Sequence, residues 1–394
     1  MKKWKIALIA SAALIAGTGW AVAQHGTVPP PKVSMAAHPQ SIPFELFRGN
    51  RVVTSARLNG HATDVVLDTG ASITTVNRAY ARSIGLPEGQ KVTARGAGGD
   101  VEAEIVSGVT LEIGGTRFDD MTVAVMDLSE VARAIGHPMN VVLGREFFNS
   151  SVVSIDWAAS RLQVTPHNRF TANADATALE LKRKGPFNTI PVSVAGGEPI
   201  EALLDLGNGG ALKLPETYWG KRADLAALPY AQGQGGGVGG LHIARAATIP
   251  TVGFAGRSFA NVPATLSEGG SDHEPAQMSN VGIGLLKQFK VDLDLGRDRI
   301  YLIPRSDAPG FDRDRSGARF ELAGDRLKVA FISPKGPAEA AGLKVGDEFV
   351  TVSGQKVTPA LYSKGDWSRG PSGTPVVLER ADRSTVTLTL RDYY

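Results

Sequence analysis

The chain has 394 residues, 42% hydrophobic and 21% charged, which is enough to bury more than one core and too long for a single ordinary one. Basic residues number 42 against 39 acidic ones, and three of the lysines (Lys2, Lys3, Lys5) sit at the extreme N-terminus, so the rest of the chain balances and carries no nucleic-acid signal. Cysteine is absent, which excludes disulfides, thiol catalysis, cysteine metal sites and a lipid-modified cysteine.

Residues 1–23 read as a cleavable signal peptide. The three lysines form its positive end, an apolar run from Ile6 to Gly17 follows, and Ala21-Val22-Ala23 supplies small residues for cleavage. The run is short for a membrane span, so export to a bacterial periplasm without stable membrane insertion is the expectation. Residues 24–43, Pro-rich and without pattern, read as a flexible leader.

From residue 44 to 165 short β-branched runs alternate with Gly, Asn and Asp. Val52-Val53-Thr54, Thr63 to Leu67, Val109 to Ile113 and Val152 to Ile155 all have strand length. Two helical patches, Val76 to Ile84 and Leu128 to Ile135, interrupt them, and Gly96-Ala97-Gly98-Gly99 marks a hairpin tip. A polar linker from Pro166 leads to a second block, residues 176–304, with its own glycine-rich hairpin at Gly233 to Gly240. A further polar stretch, Pro304 to Arg315, precedes a third unit, residues 316–394. There Leu327 to Ile332 reads as a strand and Pro337 to Leu343 as a short helix closed by Gly342. Asp347 to Val352, Thr374 to Leu378 and Val386 to Leu390 read as further strands.

The first two blocks repeat one another. Val66-Leu67-Asp68-Thr69-Gly70 recurs as Leu203-Leu204-Asp205-Leu206-Gly207, an offset of 137 residues. Asn140-Val141-Val142-Leu143-Gly144 recurs as Asn280-Val281-Gly282-Ile283-Gly284, and Ile155-Asp156 recurs as Leu293-Asp294, at offsets of 140 and 138. Three features at nearly one spacing imply two copies of one β lobe.

The segment Asp68-Thr69-Gly70-Ala71-Ser72, behind Val65-Val66-Leu67, resembles the active-site loop of aspartic peptidases, and Leu143-Gly144 resembles the element that packs behind it. The Asp-Thr-Gly-Ala form and the short lobes resemble the retropepsin-like branch, whereas two lobes in one chain resemble the pepsin-like architecture. This resemblance spans residues 45–304. The third unit is similar to PDZ domains through Gly336 to Asp347 and Arg369 to Pro375, with Gly317-Ala318-Arg319-Phe320 nearest to a carboxylate-binding loop. The implied fold is mainly β, with two pseudo-twofold-related lobes and a C-terminal PDZ-like domain.

The resemblance implies an aspartic endopeptidase acting on extended polypeptide. Asp68 and Asp205 are the implied catalytic pair, one taking a proton from water while the other polarises the scissile carbonyl. Thr69, Gly70, Ala71, Gly207 and Asn208 would surround the substrate, and the hairpin glycines Gly98, Gly99, Gly236 and Gly237 would cover it. The PDZ-like unit would take a peptide or protein ligand. No cofactor or metal is implied, and the seven histidines show no metal-ligand spacing. The second loop departs from the family pattern, because Leu206 stands where a hydroxyl braces the opposite loop. The expectation is that Thr69 loses a partner and that Asn208 hydrogen-bonds Asp205 instead. The alternative reading is a catalytically impaired peptide-binding or scaffold protein of the same fold.

Overall fold

A computed structural model describes residues 7–8, 29–35, 38–96, 99–238, 240–268 and 278–394. It is mainly β, with only short helices. The signal-like N-terminus lies outside the described residues except for Ala7–Leu8, which pair in parallel with Thr93 and Ala94.

The first block starts from a hairpin that its sequence specifies locally. Arg51–Leu58 pairs antiparallel with His61–Leu67 across Asn59-Gly60, both at positive φ (47° and 82°), the geometry of a tight two-residue turn. Val141–Leu143 then lies parallel to His61–Leu67 and antiparallel to Thr75–Asn77, buried at every residue as an unbroken apolar run requires. The second block repeats this arrangement. Asn280–Val281 runs parallel to Ile200–Leu204 and antiparallel to Leu212–Pro215.

The blocks meet across a run of six strands within one larger sheet. The order of the run is Ser41–Phe47, Arg161–Thr165, Val152–Asp156, Phe289–Asp294, Arg299–Pro304 and Thr177–Glu180. At its centre Val153 faces Leu293, Ser154 faces Asp292 and Ile155 faces Val291. Ser154 and Asp292 are repeat equivalents at an offset of 138, so the pseudo-twofold axis passes between them.

Two expectations change at the N-terminal side. Lys32–Met35, inside the stretch read as a flexible leader, forms a strand antiparallel to Thr116–Asp119. The helix read from Val76 starts only at Arg78. Val76 is held in the strand Thr75–Asn77, and Asn77 caps the helix by accepting a hydrogen bond from the Ala79 amide at 3.1 Å.

The C-terminal unit has two small sheets, one containing Ala318–Ala323 and Arg326–Ile332 and the other Pro375–Glu379 and Thr385–Thr389. Its helix Pro359–Lys364 begins with Thr358 as N-cap and Pro at the first position, and ends at Gly365 in the left-handed region. Tyr362 on this helix is buried against the first block. Its hydroxyl shares one proton between the carbonyl oxygens of Ile135 (3.1 Å) and Phe320 (3.0 Å). Phe47, Val131 and Ile135 from the first block join Phe320, Leu327 and Tyr362 in one apolar cluster. Contacts also reach the second block, where the Arg319 Nε donates to the Gln234 Oε1 at 2.8 Å.

Candidate active site

Asp68 follows directly on the strand His61–Leu67, and its amide donates to the Leu143 carbonyl at 3.1 Å. Asp205 follows Ile200–Leu204 in the same way, with its amide on the Val281 carbonyl at 2.9 Å. Each chain then turns so that the amide two residues on reaches back to the carboxylate. Gly70 donates to the Asp68 Oδ1 at 2.8 Å, and Gly207 donates to the Asp205 Oδ1 at 2.7 Å.

The loops face each other across the pseudo-twofold axis. A Cβ added at Gly70 would lie 2.6 Å from the Asp205 Oδ1, and one at Gly207 would collide with the Asp68 carboxylate. Glycine at both positions is thus what allows the carboxyl groups to meet, and the two are hydrogen-bonded to one another. Both aspartates are 0% exposed. Burial pushes the Asp205 carboxyl above the usual carboxylate range, opposed by hydrogen bonds from Asn280, Gly207 and Asp68 and by the charge of Lys213.

The expected weakness at Leu206 takes another form. Thr69 keeps both of its partners, donating from Oγ1 to the Leu204 carbonyl (2.8 Å) and accepting from the Leu206 amide (2.9 Å). Both partners are backbone groups, so the side chain at 206 does not matter to that half of the brace. Leu206 itself is fully buried in the apolar core.

The Asn208 amide donates to the Asp205 carbonyl at 3.2 Å, but its side chain bonds elsewhere than to the Asp205 carboxylate. The Asn208 Oδ1 accepts from the Gly210 amide (2.9 Å), and its Nδ2 donates to the Asn280 Oδ1 (2.8 Å). Asn280 makes the direct contact, donating from Nδ2 to the Asp205 Oδ2 at 2.6 Å. Asn208 therefore fixes the amide orientation of the residue that touches the carboxylate. Ala71 is also placed differently from expectation. It is buried in the core cluster, and its carbonyl accepts from the Arg145 amide at 2.9 Å.

Two buried cations that sequence reasoning missed flank the pair. Lys213, 2% exposed on Leu212–Pro215, pairs in register with Asn280, and burial pulls its amine down to about 7 against the pull of Asp205. Its one legible signal was a charge inside the apolar run Leu212-Lys213-Leu214. Arg51, 5% exposed at the start of its strand, is lowered by burial to about 10 and held up by Asp68 and Asp205, so it stays charged at neutral pH. Asn280 carried a signal only as half of the repeat with Asn140.

Two long hairpins rise beside the loops, Gln90–Gly96 with Gly99–Ile113 and Tyr230–Gly237 with Gly240–Phe254. Gly98 lies outside the described residues. Gly99 pairs with Gly96 at the first tip, and Gly236 and Gly237 pair with Leu241 and Gly240 at the second. Gly233 to Gly235 of the second hairpin line the cavity beside Asn208. That cavity measures about 150 Å³, and Arg51 is among its walls.

Among the described residues no cluster of His, Asp or Glu is arranged to hold a metal ion, and no helix is long and apolar enough to cross a membrane. The aspartyl protease family model matches residues 54–147. The match takes in the Asp68 loop and the Leu143-Gly144 element behind it, and ends before the second loop. No curated protein matches the chain.

Proposed function

We propose that this chain is an exported aspartic endopeptidase that hydrolyses extended polypeptide with a water activated between Asp68 and Asp205. The observation that carries the reading is the reciprocal approach of the two loops, each with a glycine against the other's carboxylate. Two carboxyls so close share one proton, because ionising both in a buried site is costly. The ionised member takes a proton from water as that water attacks the scissile carbonyl, and the protonated member donates to the carbonyl oxygen. Collapse of the tetrahedral intermediate then returns a proton to the leaving amine. Both aspartates are 0% exposed, and in this reading the glycine-rich hairpins open to admit substrate.

The C-terminal unit, PDZ-like by sequence, serves substrate or partner binding in this reading. Its contacts with both blocks beside the second hairpin support that role. Export to the periplasm rests on the pattern of residues 1–23, and the N-terminal sequence of the secreted protein tests it.

A second reading, a peptide-binding protein that no longer cuts, is favoured by Leu206 and by the complete burial of the pair. Hydrolysis of an unfolded protein between about pH 3 and about pH 8 separates the two. The peptidase reading expects cleavage by the wild type and its loss in both Asp68→Asn and Asp205→Asn. Cleavage that survives either substitution refutes the paired mechanism, and a folded wild type with no cleavage at any pH supports the second reading.

A further inference from the structure

The departure of the second loop from its counterpart has a physical use that neither loop explains alone. Gly209 stands 137 residues after Ser72, so the repeat places a side chain at this position in one copy and none in the other. In the structure the Arg51 guanidinium of the first block fills the space. A Cβ at Gly209 would collide with its Nη1. The second loop has made room for an arginine that reaches across the lobe interface.

That arginine is incompletely satisfied. Its Nη1 donates to the Asn50 carbonyl at 2.7 Å, but its Nε is buried without a partner. The charges of Asp68 and Asp205 act on it, but its Nε meets no acceptor. A buried guanidinium is ordinarily paired, since an unpaired buried charge is expensive. The Asp68–Asp205 pair, sharing one proton, supplies one negative charge near Arg51, and none of it reaches the Nε.

Among the described residues that line the cavity of about 150 Å³ beside Arg51, which include Asn208, Gly209, Gln234 and Thr265, none is acidic. Its other cation, Arg245, is already engaged, with Glu268 as ion-pair partner and its guanidinium over the Trp219 and Tyr230 rings. We propose that Arg51 forms the floor of a specificity subsite that takes a carboxylate from the bound polypeptide, an acidic side chain close to the scissile bond. The inference rests on the peptidase reading for the place of the subsite along the substrate, but binding reads it independently of turnover.

The test uses the full chain carrying Asp68→Asn, so that bound peptide stays intact. Peptides of one sequence, amidated at the C-terminus, carry Glu or Gln at a single position that is moved along the chain, and binding is measured by calorimetry. At one register the Glu peptide should bind at least about tenfold more tightly than its Gln twin, as for a buried cation offered or denied its partner. Arg51→Gln should erase that ratio, and Arg51→Lys should keep part of it. A Gln peptide with a free C-terminal carboxylate reports whether a chain end occupies the subsite instead, and tighter binding of that peptide alone overturns the side-chain assignment. Equal binding of Glu and Gln peptides at every register overturns the proposal. If Arg51→Gln does not fold, the Glu-to-Gln ratio in the folded protein still decides. Wild-type hydrolysis, measured separately, reports on the aspartate pair and leaves this result standing either way.

Discussion

Glu146 shows how a single buried group beside the site sets a pH dependence. It follows Gly144-Arg145 and is buried, with Oε1 accepting the Thr74 amide at 2.7 Å and Oε2 lacking a partner. Burial raises its carboxyl from 4.5 to about 7, only partly opposed by Thr74 and Arg145. The folded state therefore keeps a proton between about 4.5 and about 7 that the unfolded chain has lost. Stability falls as pH rises through that window, and the loss is complete above it. A shift of that size is worth up to roughly 3 kcal/mol. Glu146→Gln keeps an acceptor for the Thr74 amide and has no charge to bury. It should match the wild type below about pH 4.5 and exceed it by up to roughly 3 kcal/mol above pH 7 in urea unfolding. Parallel stability curves for the two proteins would refute the assignment. Glu146 was not legible as a special residue, because its burial depends on packing that local pattern does not report. The Asp68 loop was legible because its turn, its amide and its carboxylate lie within three residues. Asn280, Lys213 and Arg51 were not, because strand register and lobe apposition bring them to the carboxyls from elsewhere in the chain.

At the scale of elements, the sequence indicated most strands and hairpins but not how the C-terminal unit is joined to the rest. Runs such as Thr63 to Leu67 carry their own period and turn residues, and they form strands where expected. The join depends on a helix end. The helix Ser129–Ile135 stops at Gly136 with φ at 77°, and the Tyr362 ring packs where a side chain there would project. Around it Phe47 lies edge-on to His137, and the Arg48 guanidinium sits 4.5 Å over the Tyr362 ring. Gly136→Ala meets two penalties at once, a left-handed backbone costing roughly 1–2 kcal/mol and a collision with Tyr362. It should release the C-terminal unit while the first block stays folded. Hydrogen exchange is the measurement. Amides of Ala318–Ala323 should exchange at least about tenfold faster, with those of Val141–Leu143 unchanged. Equal protection of both strands in the variant would show that the contact is incidental.

The whole molecule is organised by an axis that the sequence announces only as a repeat. Offsets of 137 to 140 residues indicated two copies without saying how they meet. The structure joins them edge to edge, and the central register pairs residue 153 with the equivalent of 155, and 154 with its own equivalent. A strand pairing of that kind is self-complementary: the edge Val152–Asp156 offers the same donors and acceptors that its counterpart Phe289–Asp294 accepts. The two edges differ mainly in side chains, Ser154 against Asp292, with burial raising the Asp292 carboxyl. The first block without the second would present that edge uncovered, and exposed edges pair with other chains. Expressed alone, residues 29–165 should therefore form a symmetric dimer through Val152–Asp156, with Ser154 facing its own copy and two Asp68 loops brought face to face. Sedimentation equilibrium reads the mass directly. Ser154→Pro, which removes an amide from the middle of the edge, should shift the fragment toward monomer while leaving the strands behind it paired. A wild-type fragment that remains monomeric with its strands intact would mean that the second block contributes more to the join than the repeated edge. The pseudo-twofold would then be a relic of duplication rather than what holds the halves together.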